Sequence, residues 1–246
     1  MNIEHHNWQS PALGQGMDLK VYGWYGKPVL AFPAQGSSFH EFEDTGLLDS
    51  VSEWVNSGKV KIFTVGSIDG QSWANGGIHP AGRAKRHLDY EKYIIGEVVP
   101  FIHRHCGNND LKLLTCGVSM GGYHAANFFF KKPDIFDTMI SMSGIFQLSS
   151  LIGDHMDDNV YFNSPIHYLP NMEDPWYLER YRAGKIIISV GQGRWEEPAI
   201  EDAKNLASIL EKKGISCWLD MWGYDVDHDW PWWRKMLPYY LESLGL

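Results

Sequence analysis

Gly117-Val118-Ser119-Met120-Gly121-Gly122 sets a serine in the pattern G-x-S-x-G. A serine hydroxyl is a poor nucleophile at neutral pH. It becomes useful where a sharp strand-to-helix turn exposes it and a base stands ready to take its proton. Such a turn brings the chain back on itself within a few residues, so the positions two before and two after the serine need almost no side chain. Gly117 and Gly121 meet that need. The same turn puts the backbone N–H of Met120 at the start of a helix, where it can bind a developing oxyanion. G-x-S-x-G is also an ordinary glycine-rich turn, so its meaning depends on context: a strand before, a helix after, then an acid and a histidine later in the chain.

Eleven histidines are available as the base, and position selects among them. His228 lies between the last strand-like run and the last helical run, which brings it to the sheet edge where the serine would sit. His103 and His105 fall at a helix end and read as surface. His124 lies one turn beyond Ser119, close enough to border the site behind the first rank of residues. The carboxylate that orients the base belongs in the loop Gly191-Gln192-Gly193-Arg194-Trp195-Glu196-Glu197-Pro198. Glu197 is the first choice and Glu196 the second. Asp225, Asp227 and Asp229 flank His228 as D-x-D-H-D, but no second histidine is nearby and no metal is expected there. No cofactor is implied.

Elements able to position these groups follow in order. Leu19–Gly26 alternates as a strand, Pro28–Phe32 reads as a buried strand, and Val60–Val65 as another. The loop Pro33-Ala34-Gln35-Gly36-Ser37-Ser38 is where a second oxyanion donor would lie; Gly36 is the expected donor, and Gln35 faces the substrate. A glycine-rich loop, Ser67 to Gly82, carries Trp73. Asp89–His105 reads as a helix that Pro100 interrupts. Leu111–Cys116 is the strand before the serine, and helical residues follow to Lys132. Phe136–Met142, Lys185–Val190 and Ser216–Met221 are further strands, and Pro198–Lys213 and Trp230–Leu244 further helices. The segment 144–184 lacks a clean period and reads as an insertion or small cap. Strands alternating with helices predict an α/β fold with a mostly parallel sheet covered on both faces, in one domain spanning 1–246.

Bulk composition is consistent with this. Hydrophobic residues make up 44% and charged ones 21%, which argues against disorder. A net charge of −9 excludes a phosphate-tracking nucleic-acid binder. Three scattered cysteines give no disulfide framework, and the N-terminus has neither a basic start nor an apolar core, so a cytoplasmic, membrane-free protein is expected. Eleven tryptophans are unusual. Trp73, Trp195 and Trp222 lie near the expected site and could line it.

With Ser119, an acid and His228 in that order, the chain resembles the α/β-hydrolase superfamily, and within it the group of esterase D and the antigen 85 mycolyltransferases. The likeness runs from about residue 19 to 244. It rests on the elbow, on Pro28–Phe32 entering the oxyanion loop, on Val99-Pro100-Phe101-Ile102, and on His228-Asp229-Trp230-Pro231-Trp232-Trp233, which is similar to that group's H-x-W-x-x-W. The resemblance implies a serine-dependent acyl-enzyme acting on a small-molecule ester. Two other functions share the same residues: acyl transfer to an alcohol or sugar, and ligand binding by a catalytically idle hydrolase fold. Ala34-Gln35-Gly36 replaces the group's usual His-Gly or Asp-Gly, and a glutamate stands where many members have aspartate. Nothing in the sequence sets the oligomeric state.

Overall fold

The computed structural model describes all 246 residues. Its strands are β1 (Ile3–Ser10), β2 (Gln15–Tyr22), β3 (Lys27–Phe32), β4 (Val60–Val65), β5 (Leu113–Val118), β6 (Phe136–Met142), β7 (Lys185–Val190) and β8 (Trp218–Met221). They form one sheet in the order β1-β2-β4-β3-β5-β6-β7-β8. β1 pairs with β2, and β2 with β4, antiparallel; all other neighbours are parallel. Every residue of β4 and β5 is buried, as expected for continuous apolar strands covered on both faces.

The short helices α1 (Glu41–Asp44), α2 (Leu47–Ser50) and α3 (Ser52–Asn56) follow β3. Next come α4 (Pro80–Tyr93), α5 (Val99–Cys106) and α6 (Met120–Lys131). Then follow α7 (Ser149–Ile152), α8 (Asp158–Tyr161), α9 (Pro165–Tyr168), α10 (Pro175–Ala183), α11 (Glu197–Lys212) and α12 (Trp230–Ser243). Side chains of α4, α5, α6 and α11 fill the core on one face of the sheet, and those of α2, α3 and α12 fill it on the other. No helix is long and apolar enough to cross a membrane.

Four features differ from the sequence reading. β1 was not anticipated. Its alternation of exposed and half-buried positions carries Glu4, His6 and Trp8 on the inner face, too polar to stand out as a strand. The helix expected from Asp89 begins at Pro80, with His79 Nδ1 accepting from Ala81 N at 3.3 Å. Pro100 does not end the helical run. A wide π-type turn over Ile94–Val98 precedes it and absorbs the missing donor and the crowding of its ring against the preceding turn. The segment 144–184 folds as short helices whose Tyr168, Leu169 and Tyr181 belong to the main core, so it is built into the body rather than standing off as a cap.

The π-type turn also directs Glu97 at the β1–β2 hairpin. Its carboxylate accepts from Trp8 Nε1 (2.8 Å), Ser10 Oγ (2.8 Å) and Ala12 N (3.0 Å). Glu97→Ala leaves three donors unpaired and is expected to lower stability by about 2 kcal/mol. Urea unfolding checks this through the shift in midpoint at unchanged slope.

Candidate active site

The elbow is built where β5 passes into α6. Ser119 has φ 54° and ψ −121°, a strained conformation for a residue with a side chain. A Cβ on Gly117 would overlap the backbone of Gly121, and one on Gly121 would overlap the carbonyls of Phe32 and Pro33. The two glycines thus let the bend close and press it against the end of β3. Ser119 N donates to Met142 O (2.9 Å), and Ser119 O accepts from Gly122 N (2.9 Å) and Tyr123 N (3.2 Å). The serine backbone is pinned while its half-exposed hydroxyl makes no hydrogen bond within the chain. Met120 opens α6, so its N–H has no partner in the helix.

The loop after β3, where a second oxyanion donor is expected, is fixed by a residue the sequence did not single out. Glu41 is buried and accepts from Ala34 N at 2.7 Å. Burial pushes its carboxyl above the usual range, and the Ala34 N–H opposes that shift. Ala34 N is therefore committed, while Gln35 and Gly36 are exposed, with Gly36 left-handed at φ 78°.

The acid position is corrected by the structure. Glu196, not Glu197, meets the histidine: its Oε2 lies 3.0 Å from His228 Nδ1 and its side chain is fully buried. Glu197 is exposed at the first position of α11. The cause is Trp195, whose left-handed backbone (φ 66°) turns the chain so that the next side chain points inward one residue early. Glu196 Oε1 accepts from Ser143 Oγ (2.6 Å) and Gly191 N (3.2 Å), and Ser143 Oγ accepts from Trp233 Nε1 (3.0 Å). The Trp233 ring also stands edge-on to the His228 ring, with centroids 5.0 Å apart.

The acid loop and the histidine loop are laced together. Gly193 N donates to Val226 O (2.8 Å), His228 N to Arg194 O (3.0 Å), and Arg194 N to Asp227 Oδ1 (2.8 Å). Hydrogen bonds from the Arg194 backbone and guanidinium hold the Asp227 carboxyl below its usual range. Asp229 caps α12 through Trp230 N (2.7 Å), and Asp225 is exposed. Neither Asp227 nor Asp229 is spent on the histidine. Since Val118 pairs with Met142 and Met142 with Ser189, Ser119, Ser143 and the Gly191 turn occupy three successive strand ends. The two strand steps between the serine and the acid loop span roughly 10 Å, and His228, held on Glu196, makes no hydrogen bond to the Ser119 hydroxyl in this structure.

The expected substrate-facing aromatics are placed differently. Trp73 is fully buried, packs with Met120 and Tyr123 and leans on His87 at 5.0 Å, so it supports the elbow from beneath. His124 is also buried and pairs through Nε2 with Asp69 Oδ1 at 2.9 Å. Trp222 is half-buried and donates to Asp220 Oδ2 (3.0 Å) and the Tyr240 hydroxyl (2.8 Å), clamping β8 to α12. Trp195 is 71% exposed on the acid loop, and Gln35 is exposed on the oxyanion loop. Ser143 and Glu41 were missed. Trp233 appeared only as part of the tryptophan pattern after the histidine.

A mostly parallel sheet in this strand order, with a strained serine after β5 and a carboxylate–histidine pair after β7 and β8, defines an α/β-hydrolase. Residues 33–244 match the family described as "Putative esterase", and the chain belongs to it. It is a carboxylic-ester hydrolase. Among solved structures, a ferulic acid esterase superposes with a TM-score of 0.78 at 16% identity, covering 99% of this chain and 97% of the other. The fluorophosphonate-binding serine hydrolase F of Staphylococcus aureus gives 0.74 at 17%, covering 100% and 98%. MPT51 of Mycobacterium tuberculosis gives 0.69 at 13%, covering 99% and 98%. No curated protein matches the chain.

Glu196→Gln should lower kcat on an activated ester by roughly 10³–10⁴-fold, since the amide no longer fixes the productive imidazole tautomer. Glu197→Gln should leave it within about twofold, as an exposed surface change does. Ser143→Ala, which loosens the acid by one hydrogen bond of about 1.4 kcal/mol, should cost about tenfold in kcat. Steady-state kinetics on the three variants separates these outcomes.

Proposed function

We propose that Ser119, His228 and Glu196 form a catalytic triad that hydrolyses small esters through an acyl-enzyme. The observation that carries this reading is the fully buried Glu196 carboxylate held on His228 Nδ1 at 3.0 Å. With Nδ1 engaged, the lone pair of Nε2 is left to take the Ser119 proton. The serine oxygen then attacks the ester carbonyl. The resulting oxyanion is met by the Met120 N–H and by an N–H from Gln35 or Gly36, since Ala34 N is committed to Glu41. The imidazolium returns its proton to the departing alcohol. Water, deprotonated by the same nitrogen, then attacks the acyl-serine, releasing the acid and restoring the serine.

Ser119 and His228 are both partly exposed, which leaves the acyl-serine open to water and supports hydrolysis. The partly exposed serine supports a short or flat acyl group rather than a long, enclosed chain. Trp195 and Tyr224 stand exposed on the two loops that carry the acid and the base and offer aromatic faces to such a group. The likeness to a ferulic acid esterase points the same way.

Ser119→Ala is expected to reduce turnover of p-nitrophenyl acetate by about 10⁴-fold or more and to abolish labelling by a fluorophosphonate. Retained turnover would reject the triad. Product analysis with an added alcohol should give free acid in excess of the transferred ester. Methyl ferulate should be cleaved and a decanoyl ester should not.

A further inference from the structure

At the far edge of the sheet, three side chains converge that the ester chemistry does not use. Glu4 and His6 project from β1 two residues apart, on the face that α5 covers, and His105 comes from the last turn of α5. One carboxylate oxygen, Glu4 Oε2, lies 3.2 Å from His6 Nε2 and 3.0 Å from His105 Nε2. All three ligand atoms fall within 4.8 Å of one another. A tetrahedral zinc ion with bonds of about 2.0 Å holds its ligand atoms about 3.3 Å apart. Two edges of this triangle are already close to that length, and the third is no longer than 4.8 Å.

We propose that Glu4, His6 and His105 form a zinc site that fastens the edge strand to α5. Two imidazoles and one carboxylate suit a borderline divalent ion rather than Mg²⁺ or Ca²⁺, which prefer all-oxygen shells. The site has backing on several sides. Asn2 Nδ2 donates to the other Glu4 oxygen at 2.9 Å. Phe101 packs against His6 with ring centroids 4.8 Å apart, and Phe63 and Phe101 both flank His105. Side-chain exposures of 37%, 32% and 17% for Glu4, His6 and His105 leave a path for the ion and room for solvent as the remaining ligand. Loading displaces the Nε2 protons to Nδ1 or to solvent. His105 Nδ1 is buried without a partner, so this site lacks the outer support that zinc histidines usually have and should bind about 10–100-fold more weakly than a supported one. It lies four strands from β5, roughly 19 Å across the sheet, and is separate from the D-x-D-H-D run around His228.

The test is a competition titration of chelator-treated protein with Zn²⁺ against a chromophoric chelator. One equivalent should bind per chain, Mg²⁺ should not displace it, and the unfolding temperature should rise on loading. Glu4→Gln keeps a hydrogen-bonding partner for both histidines, so the fold is retained, yet it should weaken binding at least tenfold. His105→Gln should do the same. His5→Gln, on the opposite face of β1 and bonded to Asp18, should bind like the parent. Absence of a saturable equivalent, or Glu4→Gln binding as tightly as the parent, would overturn the proposal. Should His105→Gln fail to fold by circular dichroism, the Glu4→Gln result alone decides.

Discussion

A carboxylate taken entirely out of water must be paired on every side, and Glu196 organises the active edge of this molecule through that requirement. Desolvating an ionised group costs several kcal/mol unless its oxygens are met by donors. Here one oxygen takes His228, and the other takes Ser143 and the Gly191 N–H. Each donor is itself placed by a strand end or a loop, so the charge cannot be moved without disturbing β6, β7 and the histidine loop together. That rigidity gives the imidazole a single orientation in a site otherwise open to solvent.

The cost of the arrangement is visible in the backbone. Only three residues other than glycine have positive φ: Ser119, Ser143 and Trp195. Each lies at the site, and each is expected to carry about 1–3 kcal/mol of strain. Ser119 is bent to expose its hydroxyl, Ser143 to turn its own toward Glu196, and Trp195 to drive Glu196 inward. The surrounding sheet can hold such strain because β5 and β4 are buried throughout and packed on both faces. Beneath the elbow, α6 adds a second brace. His124 grips Asp69 from the loop after β4, and burial, then the nearby His124 charge, hold His87 well below its usual protonation range.

Much of this was legible in the sequence. The central strands are apolar runs bounded by turn residues, and the order of serine, acid and histidine follows from where those strands end. What escaped has physical causes. Glu196 and Glu197 are chemically identical neighbours, and only a left-handed turn at Trp195 decides which one faces inward. A tryptophan gives no hint of positive φ. Ser143 reads as a small residue ending a strand, because its role depends on a partner 53 residues away. Trp73 and His124 have the right chemistry in the right region, yet they sit on the buried side of the loop and helix that carry them. Sequence spacing places a residue on an element; it does not say whether the side chain meets solvent or core. β1 was missed for a related reason. Three of its four inner positions, Glu4, His6 and Ser10, are polar, and they make sense only once Glu97 and His105 are seen opposite them.

The two edges of the sheet therefore solve different problems. At the C-terminal ends of the parallel strands, the acid loop, the histidine loop and the end of β6 must be held together, and a buried carboxylate with three donors achieves that. At the antiparallel edge, β1 has one side without a strand neighbour, a position prone to pairing with other chains. The remedy there is polar rather than apolar. Glu97 collects three donors from the hairpin, Glu4 joins β1 to α5 through His105 while also meeting His6 on its own strand, and His5 with Asp18 decorates the outer face. Charged and imidazole side chains along this strand discourage a second chain from docking while keeping the hairpin on its own helix. Because three strands separate β1 from β5, the chemistry of this edge is free to change without moving Ser119.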